Sequence, residues 1–290
     1  MIFQQLFSCS DGTCIPIEKK CNFVPDCWDR GDEIDCQLLS KKNMEGYDSN
    51  LPDIVIENGG KLLKKMVKVS ITIEEIKSIE EVKSRYTTTF DLELEWMDAR
   101  LTWYDIHEDL DLNILSEEQK NDIWFPTILI ANSEANIVEV PNDSQSKLSV
   151  RKNGSLTMSS KENIQESALY QGKENNIIYL RQFTEKLKCV FDLTFFPFET
   201  QTCSMSFKVG NKERNLVELI GDHVEFSGNR KLSTFDVIKS ELEEKVVSDV
   251  IDVKVNIILK RQVSQHLLGI YLPSLFIMAV AHSMNNIGLL

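Results

Sequence analysis

The chain has 290 residues and a formal net charge of −13. That length has room for one or two domains with a sizeable core, and the acidic balance argues against a nucleic-acid partner while suiting a cationic ligand, cation-rich surroundings or simple solubility. Of seven cysteines, five precede residue 37, a clustering that points to an oxidising, secreted or cell-surface compartment.

Met1 to Phe7 is too short for a signal peptide. The cysteines nevertheless imply secretion, so the chain reads as a fragment, as one whose start is misplaced, or as a mature form. Residues 7–36 read FSCSDGTCIPIEKKCNFVPDCWDRGDEIDC, too polar for an ordinary core, and such small modules need staples or a metal. The stretch resembles a low-density-lipoprotein-receptor class A repeat, from its second to its sixth cysteine. The resemblance implies the pairs Cys9–Cys27 and Cys21–Cys36, with Cys14 left unpartnered. It also implies structural calcium, held by Asp26, Asp32 and Glu33, with Asn22 in place of a fourth acid and the carbonyls of Lys19 and Val24 completing the set. The plain alternative is a solvated acidic turn.

Residues 37–50 are polar, lack periodicity and read as a linker. Alternation then begins. Val67, Val69, Ile71 and Ile73 predict one half-buried strand, and Phe90, Leu92, Leu94 and Trp96 a second, with Asp91, Glu93 and Glu95 on its other face. Further strands are expected at Ile177–Leu187, Ser204–Val209, near Phe235–Ile238, and at Ile251–Leu259. Asn153-Gly154 signals a hairpin turn, and Asn142 and Asn153 each begin a glycosylation sequon. Many short strands without helical periodicity argue an all-β, two-sheet β-sandwich spanning residues 51–261, preceded by the small disulfide-rich module at 1–36.

Within that span Cys189 and Cys203 bracket thirteen residues, with Phe195-Phe196-Pro197-Phe198 and Glu199 inside. A disulfide would close a stiff loop with an apolar tip and stabilise by about 3 kcal/mol; the alternative is two free core cysteines. WMDARLTW (96–103), DIWFP (122–126) and an apolar run from Leu267 to Ala281 preceded by Arg261 are further landmarks. In this order they resemble the Cys-loop receptors, the pentameric neurotransmitter-gated ion channels. Residues 262–290 then read as the start of the first membrane helix, with HSMNNIGLL not continuing it; fifteen residues as a helix reach only about 22 Å, short of a bilayer core of about 30 Å.

The resemblance implies a subunit at the plasma membrane that binds a small ligand between neighbours in a pentamer and couples it to a pore. It places the family's ligand-box aromatics on Asp91, Ala131 and Gly210, none of them aromatic, so an acetylcholine site is not expected. Asp91, Glu93 and Glu95 remain as an acidic face for an amine, a metal ion or a neighbour's basic side chain, or as a merely solvated face. It also places an acid at Glu81, beside Val82, facing Arg261 across the loop that carries Phe196, Pro197, Phe198 and Glu199. The scattered histidines and the lack of a phosphate loop or nucleophile elbow leave no enzyme reading. Two other readings stay open: a soluble, secreted ligand-binding pentamer, and an adhesion or endocytic receptor acting through the class A module.

Overall fold

Alternation of apolar and polar side chains at a period of two buries one face of each long strand, and two such faces closing on each other make the core. The computed structural model describes residues 5–39, 44–56, 60, 62–134, 136–156, 166–247 and 250–287. In chain order its elements are β1 (Leu6–Ser8), β2 (Cys14–Pro16), β3 (Val55–Ile56), β4 (Leu62–Leu63), β5 (Lys65–Glu80), β6 (Arg85–Trp96), β7 (Thr102–Tyr104), α1 (Glu117–Asp122), β8 (Ile128–Ile130), β9 (Val138–Glu139), β10 (Lys147–Arg151), β11 (Leu169–Gln171), β12 (Asn176–Lys188), β13 (Thr200–Val209), β14 (Val217–Phe226), β15 (Phe235–Val247), β16 (Val250–Arg261), α2 (Val263–His266) and α3 (Leu272–Ile287).

Two five-stranded sheets dominate, ordered β10-β12-β6-β5-β14 and β15-β16-β13-β8-β9. Among the described residues of these sheets only β5 and β14 run parallel; the other pairs are antiparallel. Val67, Val69, Ile71 and Ile73 of β5 face Phe207, Val253, Val255 and Ile257 in one core, all fully buried. Trp96 packs edge-on against Trp124 and Phe125 at one end of it. The segment after Trp96 works as a staple. Asp98, buried, accepts from the Arg100 backbone and guanidinium and from the Tyr47 hydroxyl. Gly172 passes so close that a Cβ there would lie 2.1 Å from the Asp98 carbonyl oxygen, which only glycine permits.

Four expectations are corrected. Asn153-Gly154 is no hairpin turn: β10 pairs with β12, and β11 pairs with β7. The Asn175 amide oxygen accepts from both the Asn153 and Gly154 backbones, and a Cβ on Gly154 would sit 2.7 Å from Glu174 Cβ, which explains the glycine. The charged region 210–248 carries two long strands, β14 and β15. Each has an irregularity, at Gly221/His223 and Val237/Lys239, and an extra residue in a strand shifts the alternation to the other face and hides it. α1 was not expected, although Ser116 and Gln119 form a reciprocal capping box at its start. The apolar helix also runs past His282 to Ile287.

The module contains the disulfides Cys9–Cys27 and Cys21–Cys36, with Cys14 free and exposed. It packs on the sandwich. Ile17, Leu38 and Leu39 join the main apolar cluster. Lys20, 6% exposed, pairs with buried Asp105 at 3.0 Å and donates to the Glu166 carbonyl and Ser167 hydroxyl.

Candidate functional site

β16 delivers Arg261 to the end of the sandwich where the helical segment begins. The residue is 4% exposed yet carries a charge, which demands partners on every side. Nε donates to Glu199 Oε1 at 2.5 Å, and Nη1 and Nη2 donate to the two Glu81 oxygens at 3.1 and 2.6 Å. The rings of Phe235 and Phe196 lie 4.4 and 4.9 Å from its Cζ, cation–π contacts that suit a planar guanidinium better than an ammonium. Burial works against this charge, but the hydrogen bonds to Glu81 and Glu199 outweigh it and push the Arg261 pKa up. Glu199 is itself buried, with Oε2 unpartnered.

The three charges come from three elements: Glu81 from the turn between β5 and β6, Glu199 from the loop between β12 and β13, Arg261 from β16. That loop is closed by the Cys189–Cys203 disulfide, which also joins the two sheets. Inside it the Gln201 side chain bonds the Asp192 backbone both ways, at 2.9 and 2.7 Å. Pro197 is buried after a cis bond, while Phe195 and Phe198 stand 73% and 67% exposed. Val82 is fully exposed. Phe196 also stacks edge-on with His266 of α2, centroids 4.8 Å apart. Arg261, Glu81, Glu199 and the Phe196 ring are therefore brought together, with Val82 and Phe198 left at the surface.

The four expected ligand residues occupy two separate places. Antiparallel register sets Thr72 and Gln182 opposite Asp91, and Ser70 and Leu180 opposite Glu93, on the outer face of the first sheet. Here lies an open groove of about 400 Å³, closed at its sides by Arg151, Asp222 and His223. Arg151 bonds Glu93 and Glu95 at 3.3 and 2.9 Å, so those acids are already paired. Asp91 instead faces Glu74, whose carboxyl it pushes up. Ala131 and Gly210 lie just past the ends of β8 and β13 of the second sheet, at opposite ends of β8. The Ala131 N–H pairs with Ser206, and Gly210 abuts Thr127 so closely that a Cβ would lie 2.6 Å from Thr127 Cγ2. No side chain, aromatic or otherwise, fits at Gly210 in this geometry. Sequence reasoning missed Glu213, 7% exposed, which accepts from Trp124 Nε1 at 2.9 Å and Thr127 N at 2.7 Å and so ties the two strand ends together. Nothing in the local sequence marks that residue.

The residues expected to hold calcium converge on one turn but bond one another. Asp26 Oδ1 takes the Lys19 ammonium at 2.5 Å and Oδ2 the Asn22 amide at 3.3 Å; the ammonium holds the Asp26 carboxyl below its usual range. The Asp32 oxygens accept from the Asp26 and Cys27 backbones, and those of Glu33 from Asn22 and Phe23. The Asn22 side-chain oxygen accepts from Val24 N. Among the described residues no group of three or more His, Cys, Asp or Glu could hold a metal ion. Calcium takes six to eight oxygen ligands, and a turn whose Asp26 already holds the Lys19 ammonium and whose Asn22 oxygen is turned to Val24 N does not fit it. Of the sequons, Asn153 is exposed, whereas Asn142 is half-buried and donates through Nδ2 to the Lys120 carbonyl at 3.3 Å.

Comparison with known proteins agrees with this architecture. Residues 4–36 match the low-density lipoprotein receptor domain class A, and residues 37–263 match the neurotransmitter-gated ion-channel ligand binding domain. Similar proteins include the glycine receptor subunit beta of Rattus norvegicus, 26% identical over 226 residues, or 74% of this chain and 41% of that one. The neuronal acetylcholine receptor subunit beta-4 of Homo sapiens is 25% identical over 154 residues, 53% of this chain and 26% of that one. The neuronal acetylcholine receptor subunit beta-2 of Rattus norvegicus is 23% identical over 229 residues, 77% of this chain and 40% of that one. The chain thus spans about two-fifths of the length of the glycine receptor and beta-2 relatives. With its two five-stranded sheets, its bridged loop and a class A module at its start, the chain belongs to the family of neurotransmitter-gated ion-channel ligand-binding domains, which are channel components and not enzymes.

Proposed function

We propose that this chain is the extracellular ligand-binding part of a plasma-membrane channel subunit that takes a small neurotransmitter-like ligand at the interfaces of a pentamer and couples it to pore opening. The observation that carries the coupling is the burial of Arg261 between Glu81 and Glu199 at the start of the terminal helix. A desolvated cation with two anions from two different loops has few alternative positions. A shift of either loop therefore pulls on β16 and on the helix that follows it. The exposed Phe195, Phe198 and Val82 supply apolar surface at the same end. The helix contains an 18-residue apolar window, Leu267–Met284, without buried positions. At 1.5 Å per residue such a window reaches about 27 Å, near the bilayer core of about 30 Å, which favours the membrane-bound reading over the secreted one. The ligand would be captured between the Asp91–Glu93 face of one subunit and the Ala131–Gly210 side of its neighbour.

The test is a charge exchange in the full-length channel. Glu81→Arg and Arg261→Glu should each abolish gating while leaving ligand binding and surface expression. The double exchange should restore part of the current, and only part, because Glu199 would then face a second acid. A double-mutant cycle without interaction energy between the two positions removes the proposed route from ligand to pore.

A further inference from the structure

We propose that the class A module is calcium-independent, because the ammonium of its own Lys19 stands in for the dication. The expected calcium set has three carboxylates, and each of their six oxygens has a partner within the module: Lys19 and Asn22 on Asp26, the Asp26 and Cys27 N–H groups on Asp32, the Asn22 and Phe23 N–H groups on Glu33. Among these donors only Lys19 carries a charge. Asn22, where the repeat's pattern has an acid, contributes no charge and turns its carbonyl oxygen to Val24 N. Asn22 and Lys19 act in one direction. One removes a negative charge from the site, and the other adds a positive one on a tether short enough to reach Asp26. A dication approaching this turn would have to displace the ammonium and then bind beside it against like-charge repulsion.

The rest of the module explains why calcium is dispensable. Two disulfides close its loops. Ile17 sits in the main core and Lys20 is ion-paired with Asp105 of the sandwich. The order that a bound metal gives a small isolated module is supplied here by covalent closure and by docking on a larger domain.

Hydrogen exchange on the full chain, with about 1 mM calcium or with excess chelator, is the test. For the unaltered chain, exchange in residues 5–36 should differ by less than about twofold between the two conditions. In Lys19→Met, which frees Asp26 and removes the cation, calcium should slow exchange of the same residues by about tenfold or more relative to chelator. An unaltered module that loosens about tenfold in chelator and recovers with calcium overturns the proposal. So does a Lys19→Met chain that behaves like the unaltered one. Should Lys19→Met not fold, Lys19→Arg decides, since it keeps the charge: indifference to chelator supports the role of a cation at this position, and calcium dependence refutes it.

Discussion

Buried ions mark the residues on which this molecule turns. Lys20 and Asp105 are each at least nine-tenths buried and bridge the module to the sandwich. Removing one partner of such a pair leaves the other charge desolvated and alone, at a cost of about 3–5 kcal/mol. Lys20→Met should therefore destabilise the chain by about 3 kcal/mol and speed hydrogen exchange around residues 166–170, where Asp105 also accepts from the Ala168 backbone. Unchanged denaturation midpoints and exchange would mean that the module is merely tethered. By contrast Lys147 with Asp111, both more exposed, forms a surface pair of the kind worth about 0–1 kcal/mol. Glu213 belongs with the first group, since its two oxygens serve the Trp124 ring nitrogen and the Thr127 backbone.

Among the elements, the loop from β12 to β13 has the most consequences. Its disulfide links a strand of each sheet, so it constrains the sandwich and positions Glu199 in the same stroke. Closing a loop of this size is worth about 3 kcal/mol on the chain-entropy account. Replacing Cys189 and Cys203 together with serine should lower the unfolding free energy by about that amount, read from urea denaturation; a loss below about 1 kcal/mol would assign the loop's order to its internal hydrogen bonds instead. β14 and β15 show how an element can escape a periodicity search. β15 is an edge strand rich in charge, a property that discourages unwanted pairing.

For the whole molecule, the separation of Asp91 and Glu93 from Ala131 and Gly210 decides what kind of ligand fits. Asp91 and Glu93 lie in β6 of the first sheet, Ala131 and Gly210 just past the ends of β8 and β13 of the second, and under the proposed reading they share a ligand across a boundary between subunits. Neither set offers an aromatic ring at the positions named, and Gly210 has no space for one, so the cation–π cage that holds quaternary ammonium groups is missing there. Homomeric receptors of the full-length protein should accordingly give no current to micromolar acetylcholine (about 10 μM or below). A robust response would place the site elsewhere on the interface.

The sequence alone determined β6, β16 and the first half of β5, where alternation is the direct imprint of a two-faced sheet; beyond Ile73 β5 is irregular at Ile73/Glu75 and Ile76/Ser78, and the period is lost there. The resemblance that its motifs carry further implied the bridged loop, the module's cysteine pairs and the facing of Glu81 to Arg261. Only the tertiary structure decided which charges are buried. Glu199 reads in sequence as the acid at a loop end, yet it is 6% exposed and shares Arg261 with Glu81. Lys20 reads as one of two lysines in a polar module, yet it is the buried anchor to Asp105. Burial of a charge depends on what other segments bring within a few ångströms, and residue type and local period carry no record of those distant partners.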